Sequence, residues 1–126
     1  MKVDILTIFP RIFDSYLQES LFKRAAKGGL FKIQTHDLRA FTKNRHRKVD
    51  DKPFGGGPGM VLQVEPIYKA VQKLSHGKFK RRIILFSTRG KKLDAKMAKR
   101  LSCYEQLIFI CGRYEGVDER VRKHLA

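Results

Sequence analysis

Two segments of the chain mix glycine with charged and polar residues where a packed core would contain Leu or Val. The first covers residues 44–60 and reads NRHRKVDDKPFGGGPGM; the second covers residues 111–120 and reads CGRYEGVDER. Glycine lets a ligand approach the backbone, Arg and Lys bind phosphates, and Asp or His can orient a base. We therefore interpret both segments as loops that bind a ligand.

The glycine run at residues 55–59 lacks the features of the common phosphate-binding loops. It does not end in Gly-Lys-Ser/Thr, and it does not form a G-x-G-x-x-G turn in a βαβ unit. Taken alone, the run is equally typical of a flexible hinge. Its neighbours favour binding, because two acids interrupt a basic stretch there; the basic residues are Arg45, His46, Arg47, Lys48 and Lys52. A nucleotide-hydrolysing enzyme that uses this run is a weaker hypothesis.

In the second segment, Arg113, Tyr114 and Glu115 stand between Gly112 and Gly116. One interpretation is a plain surface turn. The other is a binding loop, in which Glu115 accepts hydrogen bonds from a ligand amine or ammonium and Tyr114 packs beside a ring. The acids that follow, at positions 118 and 119, are typical of the start of a helix.

The remaining candidate residues form no pattern that predicts a metal site or a nucleophile. The other histidines are scattered along the chain, and Cys103 and Cys111 lack a C-x-x-C spacing, so no residue is predicted as a metal ligand. Ser87 lacks a G-x-S-x-G context. Nucleophilic catalysis is therefore not predicted.

The charge of the chain indicates a polyanionic partner. The 126 residues carry a net charge of +16, and 42% of them are hydrophobic, which is enough for the core of one domain. A field of this sign attracts nucleic acid, although a solubilising surface is the plainer alternative. The start of the chain, with Asp4 where a signal peptide is apolar, and the lack of a long apolar run predict a cytoplasmic protein.

Hydrophobic periodicity predicts alternating strands and helices. The predicted strands cover residues 3–9, 31–35, 83–86 and 107–110. The predicted helices run from 13 to 25, from Pro66 to Leu74, from an Asp94 cap to Leu101, and from an Asp118 cap to Leu125. Residues 37–60 have no period and are predicted as a long loop. This order predicts an α/β fold with a mostly parallel sheet and helices on both faces.

In such sheets, ligands bind where strands end and loops begin. Residues 87–90 follow one predicted buried strand, and residues 111–116 follow another. We therefore expect these two loops and the long loop to form the site.

The motifs in this order resemble those of the bacterial tRNA (guanine-N1)-methyltransferases of the SPOUT class. The resemblance covers the whole chain, from Ile8-Phe9-Pro10 through both glycine-bearing segments. It implies a trefoil-knotted sheet, S-adenosylmethionine as cofactor, a homodimer with shared sites, and methylation of the guanosine 3′ of the anticodon in tRNA. It leaves a magnesium requirement open. Thr88 and Arg89 depart from the family, which commonly has Pro and Gln there.

The resemblance also assigns residues to the expected site. The residues implied to line the cofactor pocket are Ser87, Gly90, Gly112, Tyr114, Glu115 and Gly116. The residues implied to hold the tRNA and its target guanine are Arg45, His46, Asp50, Gly56 and Gly57. Asp50 and His46 are the foremost of these contacts.

The family continues beyond the length of this chain. Its proposed aspartate base, the loop that completes the knot, and a C-terminal tRNA-binding domain correspond to positions after Ala126. Residues 1–126 are thus expected to be an N-terminal cofactor-binding domain with an incomplete knot and no activity alone. A basic RNA-binding protein without catalysis, or a degenerate relative, is the alternative.

Overall fold

Four parallel strands form the main sheet of the protein. The structure is a computed structural model that describes residues 1–126. The chain has six strands in all: β1 (Lys2–Thr7), β2 (Lys32–Asp37), β3 (Asp50–Asp51), β4 (Val61–Leu62), β5 (Arg81–Leu85) and β6 (Gln106–Ile110). The sheet has the order β2-β1-β6-β5, and β3 and β4 form a separate antiparallel pair. The predicted parallel α/β fold is confirmed.

Short helices connect these strands. The α-helices are α1 (Asp14–Leu17), α2 (Ser20–Lys27), α3 (Val64–Leu74), α4 (Ala95–Leu101) and α5 (Glu119–His124); 3₁₀ helices cover Pro10–Phe13 and Leu38–Phe41. The two predicted caps are confirmed. The Asp94 carboxylate accepts from the backbone N–H of Met97 at 2.7 Å, and the Asp118 carboxylate accepts from that of Arg120 at 2.9 Å.

The two faces of the sheet are packed to different extents. Helices α3 and α5 and the second 3₁₀ helix cover one face, where eleven buried residues form the main core, among them Leu6, Ile67 and Ile108. The other face has a cluster of three buried residues, bordered by Phe13, Leu101 and Tyr104. Alternating apolar residues along β1 and β6 supply both faces, because successive side chains of a strand point to opposite sides.

Several predicted element bounds differ from those of the structure, and strand β1 ends at Thr7 instead of Phe9. The helix predicted for residues 13–25 is broken before α2, where Ser20 has φ +43°. Helix α2 buries none of its residues, so burial does not enforce a continuous helix there. Helix α3 begins two residues before Pro66, which the first turn tolerates because its N–H groups have no partner within the helix. The long loop contains a 3₁₀ helix and strand β3.

A buried carboxylate connects three strands of the main sheet and helix α3. Asp4 in β1 is fully buried, and its two oxygens lie 2.8 Å from His36 Nε2 and 2.9 Å from Gln106 Nε2. Lys2 Nζ lies 3.1 Å from the same carboxylate. Gln106 also donates to the carbonyl of Leu74 at the end of α3. Asp4 therefore links three strands and a helix through groups that satisfy one another.

We expect Asp4→Ala to lower the free energy of unfolding by roughly 3 kcal/mol, because it leaves the buried Gln106 amide without one acceptor and removes the partner of His36. Chemical denaturation would measure this change. The exposed Asp51→Ala should change the free energy by less than about 0.5 kcal/mol. Equal effects of the two substitutions would contradict a structural role for the Asp4 network.

Candidate functional site

The carboxyl ends of β5 and β6 lie side by side and begin two adjacent loops. Leu85 pairs with Ile110, and the next backbone N–H, that of Phe86, donates to the Ile110 carbonyl at 3.1 Å. The first loop turns at once, because the Gly90 N–H donates to the Ser87 carbonyl at 3.2 Å. Loops 86–90 and 111–116 thus meet at one edge of the sheet, as the sequence predicted.

These two loops present backbone donors that the protein itself does not use. The N–H groups of Ser87, Thr88, Gly112, Arg113 and Tyr114 have no acceptor within the chain. The exposed ring of Phe86 lies beside them and packs edge-on against Phe109 at a centroid distance of 5.3 Å. A ligand with hydrogen-bond acceptors and a flat apolar ring, such as an adenosine derivative, fits this combination of free donors and an aromatic face.

Backbone hydrogen bonds join the glycine run to the second loop. The Glu115 N–H donates to the Met60 carbonyl at 3.1 Å, and the Leu62 N–H donates to the Gly116 carbonyl at 3.1 Å. The Asp118 N–H donates to the Leu62 carbonyl at 3.0 Å. Strand β4 therefore lies alongside the end of the second loop, where Leu62 and Val117 form a single parallel bridge. The two motifs, separated in sequence, form one unit.

Gly59 is where the two motifs approach most closely. A Cβ atom at this position would lie 3.0 Å from Glu115 Cδ and closer still to Cγ. Its φ is +90°, a conformation that residues with a Cβ rarely adopt. Gly59 therefore allows the Glu115 side chain to lie across the glycine run.

Asp50 and Tyr114 also join the two motifs. Strand β3 pairs Asp50 with Leu62, and Gln63 Nε2 donates to the Asp50 carbonyl at 3.3 Å. Partial burial and the neighbouring Asp50 carboxylate raise the pKa of the Tyr114 phenol, against the opposing effect of Arg39 and Arg113. The Asp50 carboxylate and the two guanidinium groups thus act on the Tyr114 pKa in opposite directions.

The other residues assigned to the tRNA side belong to the first motif but do not contact the second. Arg45 and His46 are in an exposed turn, where the His46 N–H donates to the Asn44 side chain at 2.8 Å. Gly56 and Gly57 are exposed, and a Cβ atom at either would meet nothing within 4 Å. No hydrogen bond or ion pair connects these four residues to the strand-end loops.

A cavity lies beside the predicted cofactor residues, and its lining does not include them. Its volume is about 840 Å³, and it opens between the 51–54 segment, strand β4 and the start of α5. Asp118, at the start of α5, is paired with Arg120 at 2.7 Å, and this pairing holds the pKa of the Asp118 carboxyl below its usual range. The Asp118-Glu119-Arg120 sequence thus begins a helix, as predicted, and also borders this cavity.

Sequence reasoning missed one group of residues at the same edge of the sheet. Phe9 follows β1, and its ring is 46% exposed. The Arg39 Cζ atom lies 5.9 Å from the ring centre, and that of Arg113 lies 5.4 Å from it. The predicted strand 3–9 included Phe9, whereas β1 ends at Thr7; the signal in the sequence was an aromatic residue directly before Pro10.

Neither a metal cluster nor a membrane span is visible in the fold. No three His, Cys, Asp or Glu side chains lie close enough together to hold a metal ion. None of the helices is both long enough and apolar enough to cross a membrane.

Comparison with known proteins gives one consistent family. The profile of the family described as tRNA (Guanine-1)-methyltransferase TrmD matches residues 1–126. A tRNA (guanine-N(1)-)-methyltransferase of Geobacter sulfurreducens is 48% identical over 122 residues, which are 97% of this chain and 50% of that protein. The enzyme of the same name from Moorella thermoacetica is 50% identical over 124 residues, with the same coverage.

A solved structure shares the fold. The crystal structure of the tRNA (m1G37) methyltransferase from Aquifex aeolicus superposes with a TM-score of 0.85 at 43% identity, covering 98% of this chain and 56% of that one. The chain spans about half the length of the curated relatives that it matches.

We expect Gly59→Ala to destabilise the protein more than Gly56→Ala. Both glycines have positive φ, so each alanine should cost about 1 kcal/mol of backbone strain. Only the alanine at 59 would also displace Glu115, which should add about 1 kcal/mol or more. Chemical denaturation of the two variants would compare them, and equal losses would show that the motifs do not depend on this contact.

We expect Asp50→Asn to lower the pKa of Tyr114 toward the ordinary tyrosine value of about 10. Phenolate absorbance, taken as the difference between each protein and its Tyr114→Phe counterpart, would measure the shift. Because folding raises this pKa, the associated stability is present below pH about 10 and is lost as the pH rises through the folded-state value. An unchanged pKa in Asp50→Asn would show that the two groups do not interact.

Proposed function

Since this chain belongs to the tRNA (guanine-1)-methyltransferase family, we propose that it forms the cofactor-binding part of an enzyme that methylates guanine N1 in tRNA. The target is the guanosine 3′ of the anticodon, and the methyl donor is S-adenosylmethionine. The observation that carries the proposal is the union of the two motifs at the carboxyl ends of the strands, through Glu115, Met60 and Gly59. A pair of unrelated surface loops would not need this close a contact.

The cofactor side consists of loops 86–90 and 111–116. In this proposal the free backbone N–H groups of Gly112 and Tyr114 donate to the adenosine part, and the turn formed by Ser87 and Gly90 borders it. The Glu115 carboxylate has no ion-pair partner within the chain, so it can accept from the ammonium group of the methionine part. Gly116, with φ +136°, allows the backbone to change direction at the end of this loop. The cofactor supplies an electrophilic methyl group on a sulfonium sulfur.

The guanine side consists of Asp50 and the segment around it. A guanine presents N1–H and the exocyclic amino group as donors on one edge, and a carboxylate is their natural acceptor. Asp50 pairs with Leu62, whose N–H donates to the Gly116 carbonyl at the end of the second loop. The exposed Arg45, His46, Gly56 and Gly57 then contact the surrounding tRNA, where their lack of contacts within the chain leaves them free.

The enzyme must align guanine N1 with the methyl group of the cofactor and remove the N1 proton. Guanine N1 must lose its proton as it gains the methyl group, so a base must lie near N1. The family resemblance gives this role to an aspartate that corresponds to a position after Ala126. We therefore assign no catalytic base among residues 1–126, and expect this chain alone to be inactive.

A group of exposed apolar side chains in one segment of the chain supports the proposed homodimer. Ile12, Tyr16, Leu21 and Leu30 are each at least two-thirds exposed, and all lie between Pro10 and β2. A surface of this kind is typical of a protein–protein interface. We propose that a second copy covers it, and that the dimer acts on tRNA in the cytoplasm.

A basic RNA-binding protein without catalysis is the second candidate. The net charge of +16 favours it, since a field of this sign binds RNA whether or not chemistry follows. Saturable binding of S-adenosylmethionine, measured by calorimetry, would distinguish the enzyme from the pure binding protein.

The decisive assay is methyl transfer from labelled S-adenosylmethionine to tRNA by the native gene product, purified from its source and checked by intact mass. We expect Glu115→Gln to weaken cofactor binding about tenfold, because it removes a charge-assisted hydrogen bond. Asp50→Asn should instead lower the rate with tRNA and leave cofactor affinity unchanged. The exposed Glu105→Gln, at the opposite edge of the sheet, is the matched control.

A transcript with adenosine in place of the target guanosine should accept no methyl group, and EDTA added to the same assay would test the magnesium requirement. Wild-type rates in both Glu115→Gln and Asp50→Asn would overturn the residue assignments. Absence of methyl transfer by the native gene product would favour the RNA-binding alternative.

A further inference from the structure

Phe9 occupies the centre of the site edge and is fixed there by its neighbours. Its N–H donates to Thr7 Oγ1 at 3.2 Å, and Pro10 restricts the backbone that follows. The sheet order places the ends of β2 and β6 on either side of β1. Arg39 follows β2 and Arg113 follows β6, so each guanidinium approaches the Phe9 ring from a neighbouring strand end.

The two arginines are held to different degrees. Arg39 Nη1 donates to the Ile8 carbonyl and lies 3.6 Å from the Asp37 carboxylate. Arg113 is exposed and has no carboxylate within 4.0 Å and no hydrogen bond from its side chain. The ring of Phe9 is thus the contact that orients Arg113, through a cation–π interaction.

The chemistry of this group fits a phosphate. A guanidinium offers a planar fork of donors that matches phosphate oxygens, and most of the donors on Arg113 are unused. Stacking on an aromatic ring reduces the rotamer freedom that binding would otherwise have to remove. Arg113 directly precedes Tyr114 in the second loop, and Arg39 shares the Phe9 ring with it, which places the pair beside the proposed guanine site.

We propose that Phe9 is a positioning residue that holds Arg39 and Arg113 as a two-armed site for backbone phosphates of the RNA next to the target nucleotide. This inference rests on the proposed function, because it takes tRNA as the ligand. Phe9 acts through the arginines, and its own ring need not touch the RNA.

The test is binding of a fluorescently labelled anticodon stem–loop RNA to this chain, measured by anisotropy at several salt concentrations. Arg39→Gln and Arg113→Gln should each weaken binding about tenfold and reduce the salt slope by about one. Phe9→Leu keeps an apolar side chain without a π face and should weaken binding about fivefold, whereas Phe9→Tyr should bind like the wild type. Arg82→Gln, which removes an exposed charge at the start of β5, should stay within twofold.

A double-mutant cycle separates positioning from a general structural effect. If Phe9 orients Arg113, the effect of Arg113→Gln should shrink in the Phe9→Leu background. Thermal unfolding of Phe9→Leu should remain within a few degrees of the wild type, because the ring is half exposed. Independent, additive effects of the two substitutions, or wild-type binding by Phe9→Leu, would overturn the positioning role.

Two further outcomes identify the ligand and separate this inference from the proposed function. If Arg113→Gln weakens binding of S-adenosylmethionine and leaves RNA binding unchanged, the anion is the carboxylate of the cofactor, and the phosphate site is wrong. If the wild-type chain does not bind the stem–loop, the phosphate site is wrong, whereas methyl transfer by the native gene product would still establish the proposed function.

Discussion

The candidate residues of the strand-end loops depend on the parallel alignment of the four main strands. Because β1, β2, β5 and β6 run in one direction, all their carboxyl ends lie at one edge of the sheet. The loops that follow these strands therefore meet, although they are far apart in sequence. Each loop can remain irregular, because the hydrogen-bonded strand before the loop fixes the position where the loop starts. The stability of the fold and the geometry of the site thus have the same origin.

The main strands were predicted well because they are short apolar runs without the spacing of an amphipathic helix. Ile108 and Leu107 belong to such a run, and the capping acids Asp94 and Asp118 marked helix starts by a local hydrogen bond. The broken helix before Ser20 could not be predicted in this way, because its apolar period is intact. The spacing of apolar residues does not show whether another part of the protein covers the apolar side chains of this helix.

The site was predicted in part. Glycine and charge patterns identified both motifs, and the structure joins the strand that contains Asp50 to the loop that contains Tyr114 and Glu115. The patterns did not reveal which atoms join the motifs, because the contact of Gly59 with Glu115 depends on how the long loop folds back through β4. Phe9 was missed for a related reason: at the end of an apolar strand, an exposed aromatic residue looks like one more core residue.

The hydrogen bond between Asp4 and Gln106 spans 102 positions of the chain. On a ribosome, β1 leaves the exit tunnel long before its partner strand β6 exists. At typical synthesis rates of about 5 to 20 residues per second, the interval is roughly 5 to 20 seconds. Throughout that time, an apolar strand with a carboxylate at its centre has only β2 to pair with. The charge that anchors the finished sheet also keeps the unfinished strand hydrated, which reduces its tendency to associate with other nascent chains.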